Sequence, residues 1–347
     1  MNKSLFRLDI SPAGRYAAKL TSSTIVGALG GAAIFLALFA SHAAHAQSAT
    51  APIRMIVGLA PGGIADQAAR IFAPKLAEVL GQQVVVENRT GAGGAIAAEF
   101  VAKAPGDGSI IMMGFDGTLV TAPALQPQPY NVLTDLKAIS KVADSPLLIT
   151  GAPNLKVRNL KDFLALAKTQ PGVWDYGTAG IGSTGHLVGD LLELRAGVFM
   201  VHIPYRGGGQ AVADLIGSQI PLMLGAAAAS QAHVKAGTAI GLATTGAKRL
   251  SILPDVPTVR ESGVKGLEQF EAYSWVGLLG PKSMPPATVA RFHEAAVKVL
   301  ADPAMRARLE GIGAVPVGNS PAEFSTQIKA DLERWTALVK SAGITAN

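Results

Sequence analysis

The sequence predicts an α/β fold of parallel-rich sheets flanked by helices, long enough for two domains that share a ligand cleft. Three observations predict it. Short β-branched, apolar runs alternate with helical patterns along the chain. Glycine-rich turns sit between a strand and the helix after it, as in Pro61-Gly62-Gly63 and Gly91-Ala92-Gly93-Gly94. About 300 residues follow an N-terminal segment that does not read as part of the fold.

That segment, residues 1–46, reads as a Sec-type signal peptide. Lys3, Arg7, Arg15 and Lys19 form a basic start with Asp9 as its one acid, and residues 24–40 are apolar. Ala44-His45-Ala46 is a small-x-small cleavage signal, so cleavage is expected after Ala46. A membrane-spanning helix is the weaker reading, because the run is short and glycine-rich. The chain has no cysteine, which excludes disulfides, a thiolate metal site and the lipidated cysteine of an anchored lipoprotein. A soluble periplasmic protein without a lipid anchor is expected. Without its first 46 residues the chain holds 26 basic and 23 acidic residues, or +3. That bias suits anionic small molecules and is too weak to suggest nucleic acid.

Ile53, Met55, Ile56 and Val57 read as a buried strand, followed by a helix that ends at Leu80-Gly81. Pro74 inside it is expected to kink or shorten that helix. Strands follow at 84–86 and 109–114, with a helix over 95–103 between them. Next come a strand at 147–150, a helix over 160–168, a strand at 174–178 and a helix over 185–196. Strands at 201–205, 221–224 and 240–243 flank a helix over 210–216. The strand at 274–280 carries Trp275, and helices near 287–300, 303–311 and 321–342 complete the chain. In the last of these Leu332, Trp335, Leu338 and Val339 form a core stripe.

Two turns have the chemistry of anion sites. Pro61-Gly62-Gly63 opens a helix, where unpaired N–H groups and the positive dipole end favour a carboxylate or phosphate. A tight turn with no ligand remains the alternative. Thr178 to His186 is a second such loop, in which Ser183 and Thr184 either cap a helix or offer hydroxyls to an anion. Tyr205-Arg206-Gly207-Gly208-Gly209 is a third glycine turn. Enzyme signatures break down: both G-x-G starts lack the later small residue of a dinucleotide fingerprint. Ala247 interrupts a phosphate loop, and Ile181 stands where a nucleophile elbow needs glycine. Ser183 and His186 lie three apart but have no orienting acid in the sequence. His186, His202, His233 and His293 show no metal-ligand spacing, so neither metal nor cofactor is expected.

Together these segments resemble the Bug-type (TctC-like) substrate-binding proteins of tripartite tricarboxylate transporters. The resemblance spans Pro52-Ile53-Arg54-Met55-Ile56-Val57, Pro61-Gly62-Gly63 with Asp66, and Val84-Val85-Val86-Glu87-Asn88-Arg89 with Gly91-Ala92-Gly93-Gly94. It continues through Pro105-Gly106-Asp107-Gly108, Gly180-x-Gly182-Ser183 with His186, His202-x-Pro204-Tyr205, 253–258 and Arg334-Trp335. It implies a two-domain periplasmic binding protein (type II-like), with domain 1 at 47–142 plus 272–347 and domain 2 at 143–271. Also implied are ligand contacts from Pro61, Gly62, Gly63 and Asp66 on one side and Gly182, Ser183, Thr184 and His186 on the other, with Thr118 a further member. Asp66 would hold the loop or a bridging water rather than meet a carboxylate. Ala60 and Ala65 replace the family's usual proline and threonine, and 225–229 is alanine-rich, so a roomier, more apolar pocket than citrate needs is expected.

The implied function is a non-enzymatic, monomeric receptor that captures a small carboxylate (an organic, amino or aromatic acid) and delivers it to membrane permease subunits. A ligand-sensing subunit for a signalling partner is the alternative. A hydrolase built on Ser183 and His186 is the third class.

Overall fold

The computed structural model describes residues 51–345. The expected signal peptide and its cleavage point lie outside these residues. Strand β1 (Ile53–Val57) leads into helix α1 (Ile64–Leu80), and β2 (Val84–Asn88) into α2 (Ala95–Ala102). Strand β3 (Ile110–Phe115) pairs parallel to β1, as β2 does on the other side. Its end runs into a short π-helical turn, Gly117–Thr121, and one helical turn, Ala122–Leu125. Strand β4 (Leu136–Gly151) follows. Then α3 (Leu160–Thr169), β5 (Asp175–Thr178), α4 (Thr184–Ala196), β6 (Val201–Pro204), α5 (Gly208–Ile216), β7 (Leu222–Ala226), α6 (Ala227–Lys235) and β8 (Ile240–Thr244) alternate. The chain returns through β9 (Tyr273–Pro281) and ends with α7 (Pro286–Ala301), α8 (Pro303–Glu310), the two-residue β10 (Val315–Pro316) and α9 (Pro321–Ala342).

The strand order is β2-β1-β3-β9-β4-β7-β5-β6, with β8 and β10 also pairing β4. The register shows what this order achieves. Val276 of β9 pairs with Phe115 of β3 and with Ala143 of β4, so β3 ends level with Ala143, one strand away across β9. Ala226 of β7 pairs with Leu147, so β7 ends four residues further along β4. That is roughly 13 Å at strand spacing. Because β1 and β2 run with β3, and β5 and β6 with β7, all six parallel strands aim their C-terminal ends at one stretch of β4. Helices begin at those ends, so their N termini gather there too. In open α/β sheets, ligands bind beyond the strand C termini.

Cores form on both sides of this junction. Met55 and Val57 pack with Phe72 and Leu76 of α1 and Phe292 and Val299 of α7. Burying a side chain such as Phe72, fully enclosed, contributes roughly 2–3 kcal/mol. The other large cluster joins Phe163, Tyr176 and Leu187 to Trp275, Phe324 and Trp335. Trp335 is buried, while Leu332, Leu338 and Val339 pack against that cluster, as the α9 stripe predicts.

Two differences from the sequence reading have physical causes. Pro74 does not shorten α1, which runs on to Leu80 and buries Phe72, Ala73 and Leu76 around the proline. β4 begins at Leu136, eleven residues before the expected strand. Its early part hides as a polar run in which the Ser140 hydroxyl donates to Asn319 O and Lys141 pairs with Asp144. Residues 117–125 form helical turns, with Pro123 in the first turn of its helix, where a missing N–H costs little, and the alanine-rich 225–229 stretch ends β7 and starts α6.

Candidate functional site

The Pro61-Gly62-Gly63 turn is fixed from within. Gly62 has φ +87°, a left-handed conformation that favours glycine. Its N–H donates to Asp66 Oδ2 at 3.0 Å, and its carbonyl accepts from Gln67 Nε2 at 2.7 Å. Asp66, 2% exposed, also accepts from Arg70 and from Asn88 Nδ2 at 2.8 Å. Asn88 donates as well to Leu59 O. Burial pushes the Asp66 carboxyl up, but the bonds from Arg70, Gly62 and Asn88 outweigh it and hold the group below the usual carboxylate range. Asp66 therefore ties the Gly62 turn to the first turn of α1. The N–H groups of Ile64 and Ala65, in the first turn of α1, have no protein acceptor among the described residues. Ala65 itself is fully buried.

A second loop stands beside it. Gly91, Ala92, Gly93 and Gly94 all have positive φ, and Thr118 Oγ1 donates to Gly93 O at 2.7 Å. Tyr130 OH donates to Thr118 O. Thr118 is thus fully buried and tied to the loop that opens α2.

On the other side of the junction, Ser183 caps α4 and accepts from His186 N–H at 3.3 Å. Thr184 and His186 stand two positions apart, roughly 200° around the helix, and so face opposite ways. Thr184 Oγ1 reaches across to donate to Asp116 Oδ2 at 2.7 Å. His186 turns to the rear of the loop, where its Nδ1 accepts from Gly182 N–H at 3.3 Å. Its ring stacks on His202 with centroids 4.1 Å apart, and its Nε2 lies 3.4 Å from Asp190 Oδ2. Burial lowers both imidazoles, His202 to about 3, with the neighbouring His186 adding to the effect there. Both rings are thereby held neutral, which leaves His186 Nδ1 free to accept. Behind them a groove of about 520 Å³ is lined by Tyr176, Asp190, Glu193 and Phe199.

The structure brings Gly182 and Thr184 together with the 116–125 segment. Thr121 Oγ1 donates to Gly182 O at 2.5 Å, across the junction. No hydrogen bond among the described residues joins Pro61, Gly62 or Gly63 to Gly182, Ser183 or His186. Nor does one link Ser183 Oγ to the His186 ring, whose Nδ1 is taken by Gly182, so the Ser–His pair of a hydrolase is not formed. Among the described residues no group of three His, Cys, Asp or Glu side chains could hold a metal. The N–H groups of Thr184 and Gly185 have no protein acceptor among the described residues, so α4, like α1, presents open donors.

Sequence reasoning missed Asp116. This carboxylate is 1% exposed and accepts from Thr184, from Ser274 Oγ at 2.5 Å and from Trp275 N–H at 3.3 Å. Its signal was available: an acid directly after the apolar strand β3, in Phe115-Asp116-Gly117-Thr118. Burial raises it to about 7, against the lowering effect of its three donors.

The family described as "Tripartite tricarboxylate transporter family receptor" matches residues 68–344. The chain belongs to that family. The Bordetella pertussis protein BugT is 34% identical over 294 residues, which cover 84% of this chain and 89% of BugT. A Rhodopseudomonas palustris protein solved with adipate is 32% identical with a TM-score of 0.80, covering 85% of this chain and 98% of that one. MatC from the same organism, solved with bound malate, is 28% identical with a TM-score of 0.75, covering 83% and 98%. As a member of the tripartite tricarboxylate transporter receptors, this protein is a solute-binding receptor of the periplasmic binding-protein type and not an enzyme. No helix among the described residues is long and apolar enough to cross a membrane.

Proposed function

We propose that this receptor captures a small carboxylate at the junction on β4 and delivers it to the membrane permease subunits of a tripartite transporter. The convergence of both sets of strand C termini on Ala143–Leu147 of β4 carries this reading. Both α1 and α4 begin beyond such strand ends with open N–H donors, and such donors suit a carboxylate better than any neutral group. The relatives solved with adipate and malate support the ligand class.

In this reading 47–142 plus 272–347 form one lobe and 143–271 the other, closing over the solute as a population shift between open and closed forms. Pro61, Gly62 and Gly63 line one jaw, with Asp66 bracing it and Thr118 bracing the glycine loop beside it. Gly182, Ser183 and Thr184 line the other, with His186 bracing it from the rear. Leu59, Phe115, Ala226 and Ala228 pack on the same cluster and give the junction an apolar wall. That wall favours a solute with a hydrocarbon portion over citrate. Export to the periplasm after cleavage at Ala46, and action as a monomer, complete the proposal.

Calorimetric titration with adipate, malate, citrate and benzoate tests it. Saturable binding of at least one, with a change in Trp275 fluorescence, is expected. No binding across the panel overturns the receptor reading for small carboxylates. Tight citrate binding alone overturns the apolar pocket.

A further inference from the structure

Asp116 occupies a position that the capture of a carboxylate would not by itself require. This enclosed carboxylate accepts from the first turn of α4, the jaw proposed for an anionic solute. It has three donors from two elements: Thr184 at the first turn of α4, and Ser274 and Trp275 on β9. Thr184 is the one among them that also belongs to the proposed binding jaw. Its hydroxyl has a single proton to donate. While Asp116 is ionised, that proton is committed to Asp116 Oδ2 at 2.7 Å. A protonated Asp116 reverses the bond: the carboxylic acid donates to Thr184 Oγ1, and the threonine proton becomes available to the solute.

We propose that binding of a carboxylate solute at the α4 N terminus is coupled to uptake of one proton by Asp116, with the Thr184 hydroxyl as the switch between them. The inference rests on the receptor reading above. The proton comes from solvent and ends on an Asp116 carboxyl oxygen; Thr184 keeps its own proton and only turns it. A second effect acts in the same direction, because a bound anion close to Asp116 disfavours a second negative charge there.

The three donors favour the ionised form, and burial and the nearest charge oppose them. Asp331 of α9, which accepts from Trp275 Nε1 at 3.2 Å, is the charged group whose field reaches Asp116, and it too favours the neutral form. On β4, Lys141 and Asp144 are paired with one another at 2.9 Å. On α4, His186 and Asp190 face the rear groove. Burial already places Asp116 at about 7, where a modest push changes its charge.

Calorimetry of adipate binding in buffers of different ionisation enthalpy counts the protons. Near pH 8, wild type is expected to take up close to one proton per solute, and Asp116→Asn none. Above about pH 7 the wild-type affinity is expected to fall up to tenfold per pH unit, whereas that of Asp116→Asn stays flat. Carbon-13 NMR of the wild-type aspartate carboxyls gives a readout that needs no variant: one buried carboxyl should move to higher pKa when adipate is added. In ligand-free Thr184→Val, loss of a donor should move the same resonance upward. Equal proton counts in wild type and Asp116→Asn, or a resonance unmoved by adipate, overturn the coupling and leave the receptor reading intact. Failure of wild type to bind adipate, malate, citrate or benzoate overturns the receptor reading and the coupling with it.

Discussion

Replacing Gly94 by alanine tests how the loop at the mouth of α2 is held. Gly94 has φ +94°, and a Cβ built there lies 2.2 Å from Thr118 Oγ1. Three costs follow. Left-handed backbone costs a non-glycine residue roughly 1–2 kcal/mol. Relief of the contact forces Thr118 from its place, at roughly 1–3 kcal/mol for overpacking. The 2.7 Å bond from Thr118 to Gly93 O is then lost, for about 1 kcal/mol more. Gly94→Ala should therefore lose roughly 3–6 kcal/mol, read by urea denaturation with tryptophan fluorescence. Thr118→Ala removes the clashing hydroxyl but not the backbone strain. The double variant should be more stable than the summed single effects predict, by roughly 1–3 kcal/mol. Additivity within about 0.5 kcal/mol would refute the claim that these two residues share one contact.

Asp116 has its folded pKa raised from 3.8 to about 7, so the folded state binds a proton that the unfolded chain releases. Stability should therefore be highest below about pH 4 as far as this group is concerned, and fall as pH rises to about 7, by up to roughly 4 kcal/mol. Asp116→Asn should lack that fall, so the difference between the two denaturation curves must change across this window; parallel curves exclude it. Asp116→Ala strands three buried donors and should be destabilised at every pH, at roughly 1–3 kcal/mol per group. Gly189 sits inside α4 with its missing Cβ 2.4 Å from the Tyr176 ring. Gly189→Ala should lower the melting temperature although alanine is the better helix former by about 1 kcal/mol. His186→Leu removes the acceptor of the Gly182 N–H and should weaken adipate binding; His186→Gln, which can still accept, should weaken it less.

Much of this fold was legible because strands buried on both faces read as apolar runs. β1, β3, β7 and β9 stand where Ile, Val, Leu and Met cluster. β4 was half invisible for the opposite reason. Where it passes between β9 and β10 it places Ser140, Lys141 and Asp144 in contacts that satisfy polar groups, which masks the strand. At the site, the glycine turns and the serine cap announced themselves through backbone chemistry. The orientation of their neighbours did not. Whether Thr184 or His186 faces the junction depends on where a helix is docked, and whether Asp116 meets Thr184 depends on a pairing between distant segments. No local pattern encodes either.

The place of β9 also shapes how the chain must be made. Its pairing of Met112 with Leu279 means that β3 has no neighbour on that edge until the last quarter of the chain arrives. The strands from Leu147 to Thr244, by contrast, pair among themselves within one continuous segment. Closing a long loop costs entropy before any contact repays it, so the continuous segment is expected to condense first and the β1–β3 side last. A chain emerging from its N terminus therefore keeps its opening strands incomplete until synthesis is nearly over. The final strand completes the sheet, and with it the junction on β4, only when nearly the whole chain is available.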